Sequence, residues 1–291
     1  MFPGKPEGEG SWRGQETGGA VVRVVTWNLW WRFGPWADRQ KAILAVLREL
    51  RPDVVGLQEV WAADDGSNLA QWLAGELGLH CAFAASEAPG RWQRRIGDDT
   101  VGIGNAVLSR WPVTRRAALR LPAPEEFDDG RLAFHTLLDA PGHPVPFFTT
   151  HLNSGAHAAA VRREQAAALA EFVARHRVGT GFFPPVVTGD FNALPDSAEV
   201  RLLTRATPAG AALLDAWEHA DPAAPSATWD GTNPYIPGPP GPGARIDHVH
   251  VGPPGPAGLG RVRAARRAGD GPVDGVWPSD HAAVVVDLDG P

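Results

Sequence analysis

Apolar and polar positions along the 291-residue chain switch repeatedly between two periods, one suited to strands and one to helices. The runs "VVRVVTWNLW" (21–30), "DVVGLQEV" (53–60), "VGIGNAVLS" (101–109), "RLAFHTLL" (131–138), "VPFFTTHL" (145–152), "PPVVTGD" (184–190), "ARIDHVHV" (244–251) and "HAAVVVDL" (281–288) are short and apolar. Their β-branched and aromatic content predicts buried strands. "DRQKAILAVLREL" instead places Ile43, Val46, Leu47 and Leu50 at helical spacing, and Arg51-Pro52 stops it. "SNLAQWLAGEL" predicts a second helix with Leu69, Trp72, Leu73 and Leu77 on one face. The alanine-rich "HAAAVRREQAAALAEFVARH" predicts a long helix, and an Asp196-x-x-Glu199 pattern resembling a capping box predicts another from about Ser197. Strands and helices are intermixed with no internal repeat and no clean linker. One domain over residues 21–291 is expected, behind a flexible polar tail at 1–20.

Composition narrows the classes. Hydrophobic residues make up 43% of the chain, enough to fill a sizeable core. No apolar run reaches the roughly 18 residues a membrane span needs, and the first residues lack the apolar stretch of a secretory signal. One cysteine, Cys81, rules out an intramolecular disulfide; it reads as a small core residue, and the cytoplasm is the expected compartment. A formal net charge of −6 argues against an electrostatic glove for long nucleic acids. No obligate protein partner is evident. Two Pro/Gly-rich pieces, "GTNPYIPGPPGPG" and "GPPGPAGLG", read as surface loops. The first holds the only tyrosine, Tyr235, just before a polar strand, where it is placed to wall a substrate pocket.

The strand ends carry the chemistry. Asn28 closes the first strand and Glu59 the second, His151 closes "FFTTH", and Asp190 and Asn192 close "VVTGDFN". Asp247 lies in "RIDHVHV", and Asp280-His281 precede the last strand. On an extended segment residues i and i+2 share a face, so Asp190 and Asn192 are expected to point together while Phe191 turns into the core. Each polar residue alone is also a plausible turn or cap residue. Together, Glu59, Asp280 and Asn28 offer hard oxygen ligands suited to Mg²⁺ or Mn²⁺. Asp247 is the natural partner to orient and charge His281. A hard cation, two imidazoles and an Asp/Asn pair are what attack of water on a phosphoryl group requires. Arg91, Arg94 and Arg95 in "RWQRRIGDD" form a basic loop able to grip phosphate, or an ordinary solvated one. Arg162 and Arg163 are expected on a helix surface, one of them pairing with Glu164 or Glu171.

The ordered set "TWNLW", "GLQEV", "GNAVLSRWPV", "TTHLNS", "TGDFNALPDS", "RIDHVHV" and "SDHAAVVV" resembles the endonuclease/exonuclease/phosphatase superfamily over about Val21 to Leu288. The resemblance implies an α/β fold, a four-layer sandwich of two packed mixed sheets flanked by helices. It implies Glu59 as principal Mg²⁺ ligand with Asn28 and Asp280 nearby, and Asp190 with Asn192 as the pair that positions and activates water. It further implies His281, oriented by Asp247, as the phosphate-binding or proton-transferring histidine, and His151 as the group that stabilises the transition state or the leaving oxygen. Asn153 or Ser154 is expected to add a phosphate contact. Whether Asp190 or the His281–Asp247 pair is the base stays open. Trp30 stands where abasic endonucleases of the superfamily carry a further acid, and the Trp-x-Asp-Arg signature of its inositol phosphatases is missing. The expected activity is metal-dependent hydrolysis of phosphodiesters, with monoesters as an option, in nucleic acid, nucleotides or small molecules. A sphingomyelinase-like lipid phosphodiesterase and a non-catalytic binding protein on the same fold are the alternatives.

Overall fold

The computed structural model describes residues 20–177, 182–205, 212–237, 241 and 243–290, so the expected tail lies, Ala20 apart, outside them. Two six-stranded sheets carry the fold. The first holds β1 (Val21–Asn28), β2 (Val54–Ala63), β3 (His80–Ala85), β4 (Val101–Ser109), β11 (Val262–Ala268) and β12 (Ala283–Asp289), in the order β11-β12-β1-β2-β4-β3. The second holds β5 (Val113–Arg120), β6 (Leu132–Leu138), β7 (Val145–His151), β8 (Val186–Asp190), β9 (Leu214–Asp215) and β10 (Asp247–Val251), in the order β5-β6-β7-β8-β10-β9. Both sheets are mixed: β1 runs parallel to β2 and antiparallel to β12, and β7 runs parallel to β8, which is antiparallel to β10.

Strand alternation sorts the apolar side chains into layers. In β1, Val22 and Val24 face the other sheet, where they join Phe134, Phe147, Val186 and Val249. Val25 and Trp27 face outward onto Ile43 and Leu47 of α1 (Trp36–Leu50) and Leu69 and Leu73 of α2 (Leu69–Leu77). On the far side, Phe148, Val187 and Phe191 meet Leu169 and Phe172 of α4 (Ala159–His176) and Val200 and Leu203 of α5 (Ala198–Thr204). The architecture is therefore the expected α/β four-layer sandwich, helices outside two packed mixed sheets. Among the described residues no helix is long and apolar enough to cross a membrane.

Local details differ from the sequence reading for identifiable reasons. The basic run at 91–95 is not a loop but a short helix, α3 (Gly90–Ile96), pinned through Trp92, whose indole N–H donates to Asp129 O at 3.1 Å. The cap of α5 is Ser197, whose hydroxyl accepts from Val200 N at 3.3 Å; Glu199 is buried and turned to Arg162 instead of closing a capping box. Arg162 itself is not on the surface: it is 7% exposed and donates to Asn153 O and Gly155 O at 3.1 and 2.8 Å. Arg163 is exposed as expected. Cys81 packs beside the outer core, and burial pushes its thiol up to about 11. Strands β3, β5, β9 and β11 have no counterpart in the sequence reading, and all four lie at sheet edges.

Two glycines are required by close approach. A Cβ on Gly56 would sit 2.3 Å from Thr188 Oγ1, so β2 can lie against the second sheet only without one. A Cβ on Gly189 would sit 2.2 Å from Thr150 O. Behind β8, the outward residues of β10 are His248 and His250, both fully buried and each edge-on to the Phe191 ring. Burial holds His248 down to about 3 and His250 down to about 4, so both are neutral in the folded protein at neutral pH. Unfolded histidine takes up its proton near pH 6.5, so between that value and about pH 4 the unfolded chain binds more protons than the folded one. Stability is therefore fully present above pH 6.5 and lost as pH falls. Relative to wild type, His250→Phe should therefore hold its urea midpoint better at pH 5 than at pH 7, the difference isolating this histidine from the carboxyls that titrate in the same window. A difference between variant and wild type that is the same at pH 7 and pH 5 would refute the buried-neutral assignment.

Candidate active site

The polar strand ends converge where the two sheets meet, and strand register sets who faces whom. His151 pairs with Asp190 across β7 and β8, and Asp190 pairs with Asp247 across β8 and β10. In the first sheet Asn28 ends β1 beside Gln58 of β2. There β2 bulges: Leu57 faces Ala106 and Val60 faces Gly104, so Gln58 and Glu59 share the space of one partner residue. Glu59 takes a left-handed φ of 53°, which turns its side chain into the site while Gln58 points between the sheets. The Gln58 amide donates to Thr149 Oγ1 of the opposite sheet at 2.8 Å and to Thr26 Oγ1 at 3.1 Å.

Cross-sheet hydrogen bonds then close the centre. Asn28 Nδ2 donates to Asp190 Oδ2 at 3.0 Å and lies 3.3 Å from Glu59 Oε1. Its Oδ1 accepts from Trp30 N at 2.9 Å. His281 Nδ1 lies 2.8 Å from Asp247 Oδ2, and His281 Nε2 3.8 Å from Asp190 Oδ2. His151 Nε2 is 3.2 Å from Asp190 Oδ2 and 3.1 Å from Asn192 Nδ2. Asp190 and Asn192 do converge, but through a turn and not through strand alternation. Asn192 is left-handed, φ 48°, and its N–H donates to Asp190 Oδ1 at 2.9 Å. Phe191 enters the core fully buried.

Electrostatics divide these groups. Burial raises the Glu59 carboxyl, while Arg131 and His281 oppose the rise. Burial likewise pushes Asp190 up to about 6, with Asp247 adding to the rise and His281 opposing it. Asp280, partly buried, is pushed up to about 7 by desolvation, and Glu59 reinforces that shift. Burial alone would lower His281, but Asp247, Asp280 and Asp190 together raise it well above the ordinary range. His151 is driven the other way by burial, then by Arg131 and His281, and stays neutral. Two imidazoles in one site thus hold different charge states.

Two expected contacts resolve differently. Asn153 is buried with every polar atom engaged: its amide donates to Phe127 O at 2.7 Å and Asp129 Oδ1 at 3.1 Å, its N–H donates to Gln165 Oε1 at 2.9 Å, and its Oδ1 accepts from Gln165 Nε2. It anchors the loop after His151 and has nothing left for phosphate. Arg91, Arg94 and Arg95 are exposed on α3 beside the site, where Arg95 lies over Phe33 at 4.3 Å and the Trp92 ring stands 6.3 Å from His151. Tyr235 is half-buried and stacked on Trp30 at 4.6 Å, forming a flat ledge on the Asn28 side.

The sequence reading missed three supports. Arg39 is 1% exposed and donates to Leu29 O, Trp30 O, Trp31 O, Phe33 O and Pro278 O. It holds the loop after Asn28 to the segment before Asp280. Its signal was available: Arg39 lies one turn before Ile43 on the apolar face of α1. Arg131, 6% exposed, is bound to Asp129 through Nε at 2.9 Å and faces the Glu59–His151 side. Ser279 Oγ donates to Asn28 O at 2.6 Å and accepts from His281 N at 3.2 Å.

A divalent cation fits this donor set. Glu59 Oε2 is buried with no hydrogen-bond partner, and burial holds the neighbouring Asp280 and Asp190 carboxyls above their ordinary range, with Glu59 adding to the first and Asp247 to the second.

The profile described as the endonuclease/exonuclease/phosphatase family matches residues 25–281. The chain belongs to that family. Its members hydrolyse phosphoester bonds and are typically divalent-metal dependent. An endonuclease/exonuclease/phosphatase from Beutenbergia cavernae DSM 12333 is similar at 26% identity and a TM-score of 0.69, covering 92% of this chain and 71% of that one. The human Nocturnin catalytic domain with bound sulfate anion is similar at 22% identity and a TM-score of 0.70, covering 92% of this chain and 93% of that one. Truncated Caenorhabditis elegans TDP2 is similar at 19% identity and a TM-score of 0.68, covering 93% of this chain and 98% of that one. The last two likenesses are of fold. A comparison with curated sequences finds no match.

Removing the Arg39 clamp would strand several buried carbonyls at once. Arg39→Met is expected to cost at least about 3 kcal/mol in urea unfolding. A loss under about 1 kcal/mol would show the clamp to be dispensable.

Proposed function

We propose that this chain is a divalent-metal-dependent phosphodiesterase in which an activated water attacks phosphorus directly. The observation that carries the reading is the grouping of Asp190, Asp247 and His281 beside Glu59, which Asn28 Nδ2 links to Asp190, with Glu59 Oε2 unpartnered and His281 held charged. Glu59, Asp280 and Asn28 would hold Mg²⁺ or Mn²⁺. The ion would supply Lewis-acid neutralisation of the phosphoryl oxygens.

The remaining steps belong to protein groups. His281, charged by its bond to Asp247, already carries its proton and so serves as donor to a phosphoryl oxygen, not as base. That leaves Asp190 to accept the proton of the attacking water, oriented by Asn192 N and the Asn28 amide. Neutral His151 has one ring N–H to give, at the leaving or non-bridging oxygen. Arg131 adds positive charge beside Glu59 and His151. Arg91, Arg94 and Arg95 on one rim and the Trp30–Tyr235 ledge on the other would hold the rest of the ester, a nucleotide, nucleic acid or small phosphodiester.

Hydrolysis of bis-(p-nitrophenyl) phosphate should require Mg²⁺ or Mn²⁺, stop with EDTA and exceed that of the monoester. Asp190→Asn should lower kcat by roughly two to four orders of magnitude. Glu59→Gln should remove the rise in melting temperature that the metal alone gives the wild type. Turnover that survives EDTA, or an Asp190→Asn rate near wild type, would overturn the reading.

A further inference from the structure

Far from this centre, the second sheet carries a basic cavity that the proposed reaction does not use. It lies at the C-terminal end of α4, beyond the edge strand β5. Arg162, in the first turn of α4, bonds the Asn153 loop next to His151. His176 closes the same 18-residue helix, so at about 1.5 Å per residue the two positions are about 20 Å apart.

The cavity has a volume of about 430 Å³, within the usual range for small-molecule sites of roughly 300–1,000 Å³. Arg115 and Arg116 of β5 form one wall, and Arg175 and Arg177 at the end of α4 form the other. No carboxylate is among its lining residues, and none of the four guanidinium groups has an ion pair or hydrogen bond among the described residues. In a chain of formal net charge −6 this is an unusual local excess of positive charge.

Its floor is His135 of β6. That imidazole is 4% exposed, packs on Phe148 at 4.6 Å and faces the His176 ring at 4.9 Å. Neither of its ring nitrogens has a hydrogen-bond partner. Burial, then His176 and Arg115, holds it down to about 4, so at neutral pH it is an uncharged ring with an N–H to donate. His176 spends Nδ1 on Phe172 O at 3.0 Å, which leaves Nε2 for the cavity.

Edge-strand protection accounts for one or two solvent-facing arginines on β5, and cations at a helix C-terminus offset its dipole. Neither accounts for Arg115 of one element and Arg175 and Arg177 of another, all unpaired, lining one groove over a buried, unsatisfied imidazole. We propose that this groove is a second anion site, taking a small ligand with two or more linked phosphoryl groups. A guanidinium fork matches the oxygens of one phosphoryl group in a pair of bonds, and the groove offers such forks from both walls. The inference stands apart from the phosphodiesterase reading, because no group of the candidate active site takes part.

The test is calorimetric titration of the full chain with inorganic triphosphate in 0.15 M NaCl and EDTA. The expected result is one site per chain, weakened tenfold or more in Arg115→Ser/Arg175→Ser and unchanged in Arg91→Ser/Arg94→Ser at the active-site rim. His135→Phe, which keeps the ring packing, should weaken it several-fold. A parallel titration with a nucleoside triphosphate distinguishes two sources of one chemistry. Equal affinity assigns the groove to phosphates alone, and a tenfold gain assigns it to a nucleotide. Absence of saturable binding at millimolar triphosphate would overturn the proposal. So would binding lost in the rim variant but kept in the groove variant, or a single-stranded oligonucleotide binding the groove tenfold more tightly than triphosphate.

Discussion

Everything at the candidate site depends on the two sheets meeting in one register. Neither sheet holds a complete set: the first supplies Asn28, Glu59, Asp280 and His281, the second His151, Asp190, Asn192 and Asp247. Apolar packing between sheets is tolerant of small slides, but hydrogen bonds are not. The Gln58 amide reaching Thr149, the Asn28 amide reaching Asp190 and the His281–Asp247 bond each fix the offset, in surroundings where an unmade polar contact is costly. Gly56 lets the threonine side chains of the opposite sheet come close enough for this seam to form.

What was legible in the sequence follows from the same physics. All eight strands read from apolar pattern are interior strands, which are paired on both sides and covered on both faces. The four that escaped, β3, β5, β9 and β11, are edges, where a strand such as "VTRRAALR" needs little burial and shows no alternation. The ligand-like residues were legible because an acid or amide at the end of an apolar run is conspicuous. Arg39, Arg131 and Arg162 were not, because a charged residue on a helix or before a strand looks like a solvated one. Only its place on the apolar stripe betrays it, as with Arg162 one turn before Gln165 and Ala166 on α4.

The supports around the site share a form. Arg39, Arg162 and Arg131 are buried cations spent on carbonyls or on a carboxylate that brace loops. Elsewhere in the second sheet Arg245 plays a comparable part. Its Nη1 lies 3.2 Å from both Asp215 Oδ1 and His248 Nδ1, so an Asp-His-His grouping with the look of a metal site already holds a cation of its own. These buried cations are thus struts, spent on the fold's own acceptors.

Seven non-glycine residues among those described have positive φ, and four of them, Trp30, Trp31, Glu59 and Asn192, border the candidate site. Each such conformation costs on the order of 1 kcal/mol or more for a side chain of that size. The rest of the fold holds these residues where they would not rest alone, and it also confines several carboxylates that repel one another. A lineage of such proteins released from the need for chemistry would gain stability by relaxing these very positions. Loss of function would then be favoured by folding itself, so that only continued selection for turnover keeps the backbone bent at Trp30, Trp31, Glu59 and Asn192.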